Sequence, residues 1–511
     1  MWIAVVVVTL IATALAVRAQ MHIFQLNSYR ARPQWHWLGQ HPWSWLLAVA
    51  ALILAGLSLV VPLPAAIVEL VVLVAAIALA WPRPGRAKKP LVTTARVKRA
   101  YATIGLLAVA LVVVGACLPP RWRTAVVALP YCLTPVWVIL ANVINAPIEA
   151  GVRRHYLADA ARRLADQPKL IRIGITGSFG KTSVKYYLAT LLKQRFAVLM
   201  TPESYNTPMG ITLTIRQELR ATHQVFIAEM GARHVGDIAE DCALVHPTIG
   251  VITAIGAQHL ESFGSQAAII QTKLELAEAV KGQGPLYLNG DNELLMANAP
   301  EQERTTYGLE PTNDVYAFDL AVSPAGTSFA LSYRGTVIDQ LSTTLIGRPA
   351  IQNLAGAAAV ALDLGLAADE LRSQVRKLTP PPHRLALSRQ AGVALIDDAY
   401  NSNPAGAKAA LDALAQFDAT KILITPGMVE LGARQEELNQ AFGAQAVVAD
   451  HVFLVGAKQT QPIATGLLQA GYDPARLTVV ESVNDAIAQA YALPAAGDKV
   501  ILLENDLPDN Y

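Results

Sequence analysis

Residues 174–183 read "GITGSFGKTS". The stretch before them, "LIRIGIT" (170–176), has the apolar pattern of a strand, and the stretch after, "KTSVKYYLATLLKQ" (181–194), that of a helix. A strand, a glycine turn and a helix in this order make a phosphate-binding loop. Gly177, Ser178, Phe179 and Gly180 let the backbone curl until its N–H groups face phosphate oxygens, and the helix N-terminus adds the positive end of its dipole. Lys181 is placed to reach the β- and γ-phosphates, the Thr182 hydroxyl to ligate Mg²⁺, and Ser183 completes the nucleotide-binding stretch. The strict spacing GxxxxGK[ST] asks for glycine at 175, where Ile175 stands, so this is the TG-x-x-GKT variant.

Outward from the loop, strand-like runs alternate with helical patterns. "QVFIAEM", "TIGVITAI" and "GPLYLN" follow the first strand, and this rhythm predicts a parallel sheet with helices on both faces. Residues 314–346 read as a smaller β-rich insert, and "LTPPPH" (378–383) as a linker. A second α/β unit follows, with strands at "VALIDD", "KILITPG", "HVFLVG", "LTVVES" and "KVILLEN".

The chain ahead of the loop is of another kind. Of 511 residues, 53% are apolar and 16% charged, and before residue 149 the only acidic residue is Glu69. Apolar runs at about 2–17, 45–61, 65–81, 103–118 and 126–147 each approach the roughly 20 residues that cross a bilayer as a helix. No basic segment precedes the first run, so it reads as a retained helix and not a cleaved signal. Arg18, Arg30 and Arg32 follow the first run, seven Lys and Arg between 83 and 99 follow the third, and Arg153, Arg154, Arg162 and Arg163 follow the fifth. Positive loops stay inside, which predicts a multi-pass protein of the cytoplasmic membrane with everything after 148 in the cytoplasm. Residues 149–169 read as a basic amphipathic linker at the membrane surface. The formal net charge of +2 gives no argument for a nucleic-acid partner, and none is expected. Three cysteines without a CxxC pair suggest neither zinc nor a disulfide framework.

Glu229 and His259 each end up just past a strand, and in open α/β sheets ligands collect outside those strand ends. A carboxylate and an imidazole beside Thr182 form a candidate set for divalent ions. Lys273, on "IIQTKLELAEAV", reads by itself as a solvated lysine.

In order, "TGSFGKTS", "YNTPMG", "EMGA", "HLESFGS" with Lys273, "DDAYNSNP" and "GMVELG" resemble the Mur ligase family, ATP-dependent amide-forming enzymes of peptidoglycan precursor synthesis, and within it the members that add D-alanyl-D-alanine. The resemblance covers about 170–511. It implies a P-loop central ATPase domain at 170–378 and a smaller Rossmann-like C-terminal α/β domain at 383–511, here behind an α-helical membrane domain at 1–148. It also implies that a substrate carboxylate attacks the ATP γ-phosphate to give an acyl phosphate and ADP. The incoming amine then displaces phosphate and forms an amide. The implied catalytic residues are Lys181, Glu229, His259, Lys273 and Arg384. Thr182, Glu229 and His259 would hold Mg²⁺, with Lys273 as a carbamate supplying an anionic oxygen. Arg384 and Asp398 match nucleotide-contacting positions of the C-terminal domain. Asn206, Thr207, Tyr400, Asn401 and Asn403 fall on the substrate side, with the linker as a hinge. The implied partners are a peptidoglycan precursor and D-Ala-D-Ala, with room for a wider cell-wall synthesis complex.

Three features depart from the family. The adenine-pocket pattern G-x-H-N-x-x-N is "GRPAIQN" (347–353), where only Asn353 survives. No α/β segment of the kind that holds uridine diphosphate lies between residues 1 and 170. The last residues read "LLENDLPDNY", in which Glu504, Asp506 and Asp509 suggest a docking tail or part of a substrate pocket. The acceptor is therefore left open between nucleotide-linked and lipid-linked, as is the added amino acid. A transport or assembly ATPase is the alternative from another class.

Overall fold

The computed structural model describes the chain apart from residues 1, 81–89, 257, 259, 324, 391, 401, 496 and 507–511. One compact unit extends to His155 and a second begins at Tyr156.

The first unit is helical: Trp2–Leu26, Ala31–Gln40, Leu46–Leu57, Pro62–Ala80, Ala95–Cys117, Pro120–Cys132 and the start of Thr134–Ala165. Among the described residues three helices are long and apolar enough to cross a membrane, Ile3–Leu26, Ala95–Cys117 and Thr134–Ala165. The expected second run is a helix of only 12 residues. The expected fifth run is two helices, broken at Leu133. Proline explains the break: Pro135 has no N–H to give the Tyr131 carbonyl, and the Thr134 hydroxyl donates to that carbonyl instead, at 2.8 Å. The basic stretch Arg83–Lys89 falls outside the described residues.

The expected surface linker at 149–169 is helix down to Ala165, and within the second unit it is packed. Ala160 and Leu164 are fully buried with Ile211, Ile215 and Phe226. Small and branched side chains four apart give this stretch one apolar stripe, and that stripe faces the sheet's helices.

Two sheets organise the second unit. The first has nine strands: β1 (Ile171–Thr176), β2 (Val198–Met200), β3 (Val225–Glu229), β4 (Ile249–Ile252), β5 (Leu286–Asn289), β6 (Thr305–Gly308), β7 (Val315–Ser323), β8 (Gly326–Tyr333) and β9 (Thr336–Thr343). Their order is β2-β3-β1-β4-β5-β6-β7-β8-β9. Strands β1 to β6 are parallel, and β3 and β4 are buried along their whole length. Helices cover both faces, which is why these strands read as unbroken apolar runs and not as alternation. The stretch read as an insert is no separate body: β7 pairs in parallel with β6, and β8 and β9 extend the same sheet as an antiparallel meander. Along β9 only Ile338, Leu341 and Thr343 are buried, the step of three matching a register shift against β8.

The second sheet runs β10 (Ala386–Gln390), β11 (Val393–Asp398), β15 (Lys499–Glu504), β12 (Thr420–Thr425), β13 (His451–Val455), β14 (Leu477–Val480), with β10 antiparallel and the rest parallel. In both sheets the first βα turns come off the C-terminal strand ends. The loop 177–180 is the turn that follows β1, which lies in the middle of the parallel strands β2-β3-β1-β4-β5-β6.

Candidate active site

Two positions in the loop demand glycine. Gly177 has φ +151° and Gly180 φ +85°. A Cβ on Gly177 would stand 2.1 Å from Thr253 Oγ1, and one on Gly180 2.5 Å from Asn353 Oδ1. The loop is thus pressed between the end of β4 and the helix Arg348–Asp363, which brings Asn353 beside the phosphate loop. Thr253 fixes the loop from below, its hydroxyl donating to the Phe179 carbonyl at 2.5 Å. The Ser178 hydroxyl donates to the Gly256 carbonyl at 3.1 Å and accepts from the Gly256 N–H at 3.0 Å. With these bonds the loop's curvature is built in, and the helix Lys181–Leu192 starts from it. Lys181 Nζ donates to the carbonyls of Gly177 and Ser178, at 2.6 and 3.3 Å, so the ammonium is held over the loop. Burial pushes its amine down to about 8; Glu229 opposes this, while Arg384 and Lys185 add to it.

Glu229, the last residue of β3, is 1% exposed. Its Oε1 accepts from Asn206 Nδ2 at 3.0 Å, and Lys185 Nζ lies 2.9 Å from Oε2. That contact makes a buried ion pair. Burial pushes the carboxyl up, but Lys185, Lys181 and Asn206 together hold it below the ordinary glutamate range. Lys185 also donates to the Glu203 carbonyl at 2.5 Å. Glu229 is therefore tied twice to the segment 203–207, once by Asn206 and once through Lys185.

Sequence reading passed over Lys185. The signal was there: it follows Lys181 by four residues on one helix, which puts both ammonium groups on one face. Asp241 was also missed. It is completely buried and neither of its oxygens has a hydrogen-bond partner. Burial pushes its carboxyl up to about 9, Glu240 and Asp237 add to this, and Lys273 opposes it. Lys273 is no solvated lysine; it is 3% exposed. Burial holds its amine well below the lysine range, and Lys181 adds to the effect. The neutral amine is the form that adds carbon dioxide, and burial favours that form.

The remaining residues divide. Arg384 lies with its guanidinium 4.5 Å from the Tyr400 ring centre and acts electrostatically on both Lys181 and Asp398. Burial pushes the Asp398 carboxyl up to about 7, against the pull of Arg384. Its Oδ1 accepts from the Leu385 N–H at 3.1 Å. Asn403 and Thr207 are engaged as helix caps, accepting from the N–H groups of Gly406 at 3.0 Å and Gly210 at 3.3 Å. A cap stabilises its helix by about 1 kcal/mol, so these two side chains already have structural work. Glu504 is also engaged: it is buried between the hydroxyls of Ser402 and Thr425, and so is an anchor of β15 rather than part of a free tail. His259, Asn401 and Asp509 lie outside the described residues.

Among the described residues no three His, Cys, Asp or Glu side chains are grouped to hold a metal. The donor set suits a hard cation that takes most of its oxygens from phosphates and water, with Glu229 Oε2 as the buried protein oxygen and Thr182 as the loop hydroxyl. The Lys185 ammonium at that oxygen marks it as a place for positive charge.

Residues 175–361 match the Mur ligase middle domain and residues 383–503 the Mur ligase, glutamate ligase domain. Both domains belong to the Mur ligase family. The chain is 32% identical over 300 residues to the UDP-N-acetylmuramoyl-tripeptide--D-alanyl-D-alanine ligase of Escherichia coli K12, covering 57% of this chain and 66% of the relative. It is 33% identical over 316 residues to the ligase of that name from Mycobacterium tuberculosis H37Rv, covering 60% and 61%. The match thus spans under two thirds of the length of these relatives. Among solved structures, MurF from Acinetobacter baumannii superposes with a TM-score of 0.63 at 24% identity, over 70% of this chain and 78% of that one. MurF from Thermotoga maritima in complex with ADP gives 0.63 at 24%, over 69% and 80%. These two likenesses establish the Mur ligase fold of the central and C-terminal domains. The glycine loop, Glu229 and Lys273 all belong to the middle domain, and Arg384 and Asp398 to the C-terminal one.

Proposed function

We propose that this chain is an ATP-dependent amide-forming ligase of peptidoglycan precursor synthesis, adding D-Ala-D-Ala to the carboxylate of a muramoyl-tripeptide with release of ADP and phosphate. The observation that carries the reading is the glycine loop with Lys181 above it and the buried Lys185–Glu229 pair beside it, with Arg384 of the second Mur ligase domain acting electrostatically on Lys181. Lys181, Lys185 and Glu229 come from the first and Arg384 from the second.

In this reading the loop amides and Lys181 hold the β- and γ-phosphates, and Arg384 offsets charge on the transferred group from the other side. Thr182 and Glu229 would hold Mg²⁺, with Lys273 as a carbamate and His259 completing the set; the ion supplies charge neutralisation among phosphate oxygens. Asp398, accepting from Leu385 beside Arg384, orients the C-terminal contribution. Closure of the second domain at 378–383 keeps water from the acyl phosphate. The named relatives support the choice of tripeptide and dipeptide.

The apolar helices Ile3–Leu26, Ala95–Cys117 and Thr134–Ala165 support placement in the cytoplasmic membrane, with the basic stretches and the ligase domains on the cytoplasmic side. Residues 1–148 serve as the membrane domain, 170–378 as the central domain and 383–511 as the C-terminal domain.

The test is product analysis. Purified full-length protein with ATP, Mg²⁺, UDP-N-acetylmuramoyl-tripeptide and D-Ala-D-Ala should yield the pentapeptide mass together with ADP and phosphate. ATP consumption without an amide product would refute the ligase reading in favour of an ATPase.

A further inference from the structure

Polar side chains recur at a helical spacing inside the N-terminal unit, on segments that are otherwise apolar. Asn142, Asn145 and Glu149 follow one another by three and four residues on the helix that begins at Thr134, and Arg96, Arg99 and Thr103 do so on Ala95–Cys117. The two stripes meet. Arg96 donates to Asn142 Oδ1 at 2.8 Å, and Thr103 to Asn145 Oδ1 at 3.1 Å. Arg99 donates to both oxygens of Glu149, at 2.7 and 2.9 Å.

Two groups in this seam are left over. Up to His155 the chain has only two acidic residues, Glu69 and Glu149. Arg99 takes Glu149, and among the described residues no carboxylate pairs with Arg96, whose guanidinium lies 4.0 Å from the Tyr29 ring centre. Asn145 is 7% exposed, and its Nδ2 has no hydrogen-bond partner. A buried donor without an acceptor forfeits its hydration, so an acceptor brought to it is strongly favoured. Arg96 and Asn145 line one cavity of about 10 Å³, with Tyr29, Asn142 and Glu149 around them. That is room for a single oxygen atom.

We propose that this cavity receives one phosphate oxygen of an anionic phospholipid headgroup. Asn145 Nδ2 donates to that oxygen, and Arg96 offers its other N–H groups to the remaining phosphate oxygens. A guanidinium carries five donors, of which Arg96 gives one to Asn142, and its fork matches phosphate. Because Arg99 neutralises Glu149, the phosphate meets net positive charge, to which the exposed Lys98 adds. The source is a lipid because the seam lies between Ala95–Cys117 and Thr134–Ala165, two helices apolar enough to cross a membrane. It sits at the end that the basic residues assign to the cytoplasmic face, the depth of inner-leaflet phosphates. The inference rests on the membrane placement proposed above and is independent of the reaction.

The experiment is thermal unfolding of the full-length protein in detergent, followed by tryptophan fluorescence, since every tryptophan lies in this unit. The probes are dioleoyl phosphatidylglycerol, dioleoylglycerol, which lacks the phosphate, and inorganic phosphate. Phosphatidylglycerol should raise the midpoint of the wild type, as a ligand of the folded state does, and the other two should not. Asn145→Leu removes the donor at similar size, and Arg96→Gln removes the charge. Each should increase the lipid fraction needed for half of the rise by about tenfold or more, the loss expected when a hydrogen bond to a charged group goes. An equal rise with dioleoylglycerol, or an unchanged lipid response in both variants, would overturn the inference. An equal rise with inorganic phosphate would overturn the lipid as its source. The comparison of probes on the wild type stands whatever the stability of the variants. A wild type that stays dispersed without detergent fails the membrane reading, whereas a detergent-dependent protein with no preference for phosphatidylglycerol fails this site alone.

Discussion

Replacing Lys185 by Met removes one member of an ion pair in which both side chains are at most 1% exposed. Glu229 would keep Asn206 as a donor and lose its nearest cation. Breaking a buried pair costs about 3–5 kcal/mol, because the remaining charge stays desolvated without compensation. For a domain of some 190 residues each kcal/mol lowers the midpoint by about 2–4 °C, so Lys185→Met should lower it by on the order of 10 °C. Glu229→Gln should cost a similar amount, since it removes the negative charge from beside the buried Lys185 ammonium. The double variant buries no charge at this place, and its cost should be close to that of one single change, not their sum. All eight tryptophans precede residue 138, so tryptophan fluorescence reports the N-terminal helices. The assay is therefore thermal unfolding by far-ultraviolet circular dichroism, scoring the transition that ADP raises. Strictly additive losses in the double variant would refute the claim that this pair holds the site together.

Other expectations concern chemistry and pH. Lys181→Ala should lower acceptor-dependent phosphate release by about a hundredfold or more, with the fold retained; undiminished release would remove the loop from the reaction. Asp241 keeps its proton in the folded state up to about pH 9, whereas the unfolded chain releases it near pH 4. The folded state therefore binds the extra proton within that window, and its stability falls as pH rises through it. Asp241→Asn should abolish this slope, so the melting-point gain of the variant should grow between about pH 5.5 and about pH 8.5; a constant gain would contradict it. Lys273→Ala should be inactive and partly restored by added short carboxylic acids, which return an oxygen ligand; full activity without them would dismiss the carbamate.

Much of the fold was legible because parallel strands covered on both faces leave unbroken apolar runs, and "LIRIGIT", "QVFIAEM" and "TIGVITAI" became β1, β3 and β4. The loop was legible because glycine and lysine at fixed offsets have few other uses. What sequence could not supply was solvation. Lys185, Lys273 and Asp241 look like surface charges in one dimension, and only the packing of helices onto the sheet reveals that they are buried. Nor could it separate a capping asparagine from a substrate contact: "NSNP" and "YNTP" look alike, yet Asn403 caps a helix while Asn206 binds Glu229. The break at Leu133 follows from Pro135, which lies within one continuous apolar run. The β-rich stretch looked detached because antiparallel alternation follows parallel runs, although both occupy one sheet.

Oxygen tracing decides whether a carboxylate receives the γ-phosphoryl group. The acceptor is supplied with ¹⁸O in its peptide carboxylate, with ATP, Mg²⁺ and D-Ala-D-Ala, and the released phosphate is examined by mass spectrometry. Attack of that carboxylate on the γ-phosphorus, followed by amine displacement, places one ¹⁸O atom in each phosphate released with amide. Phosphate carrying no label, released at the same rate with or without the acceptor, would contradict the acyl-phosphate route at this site.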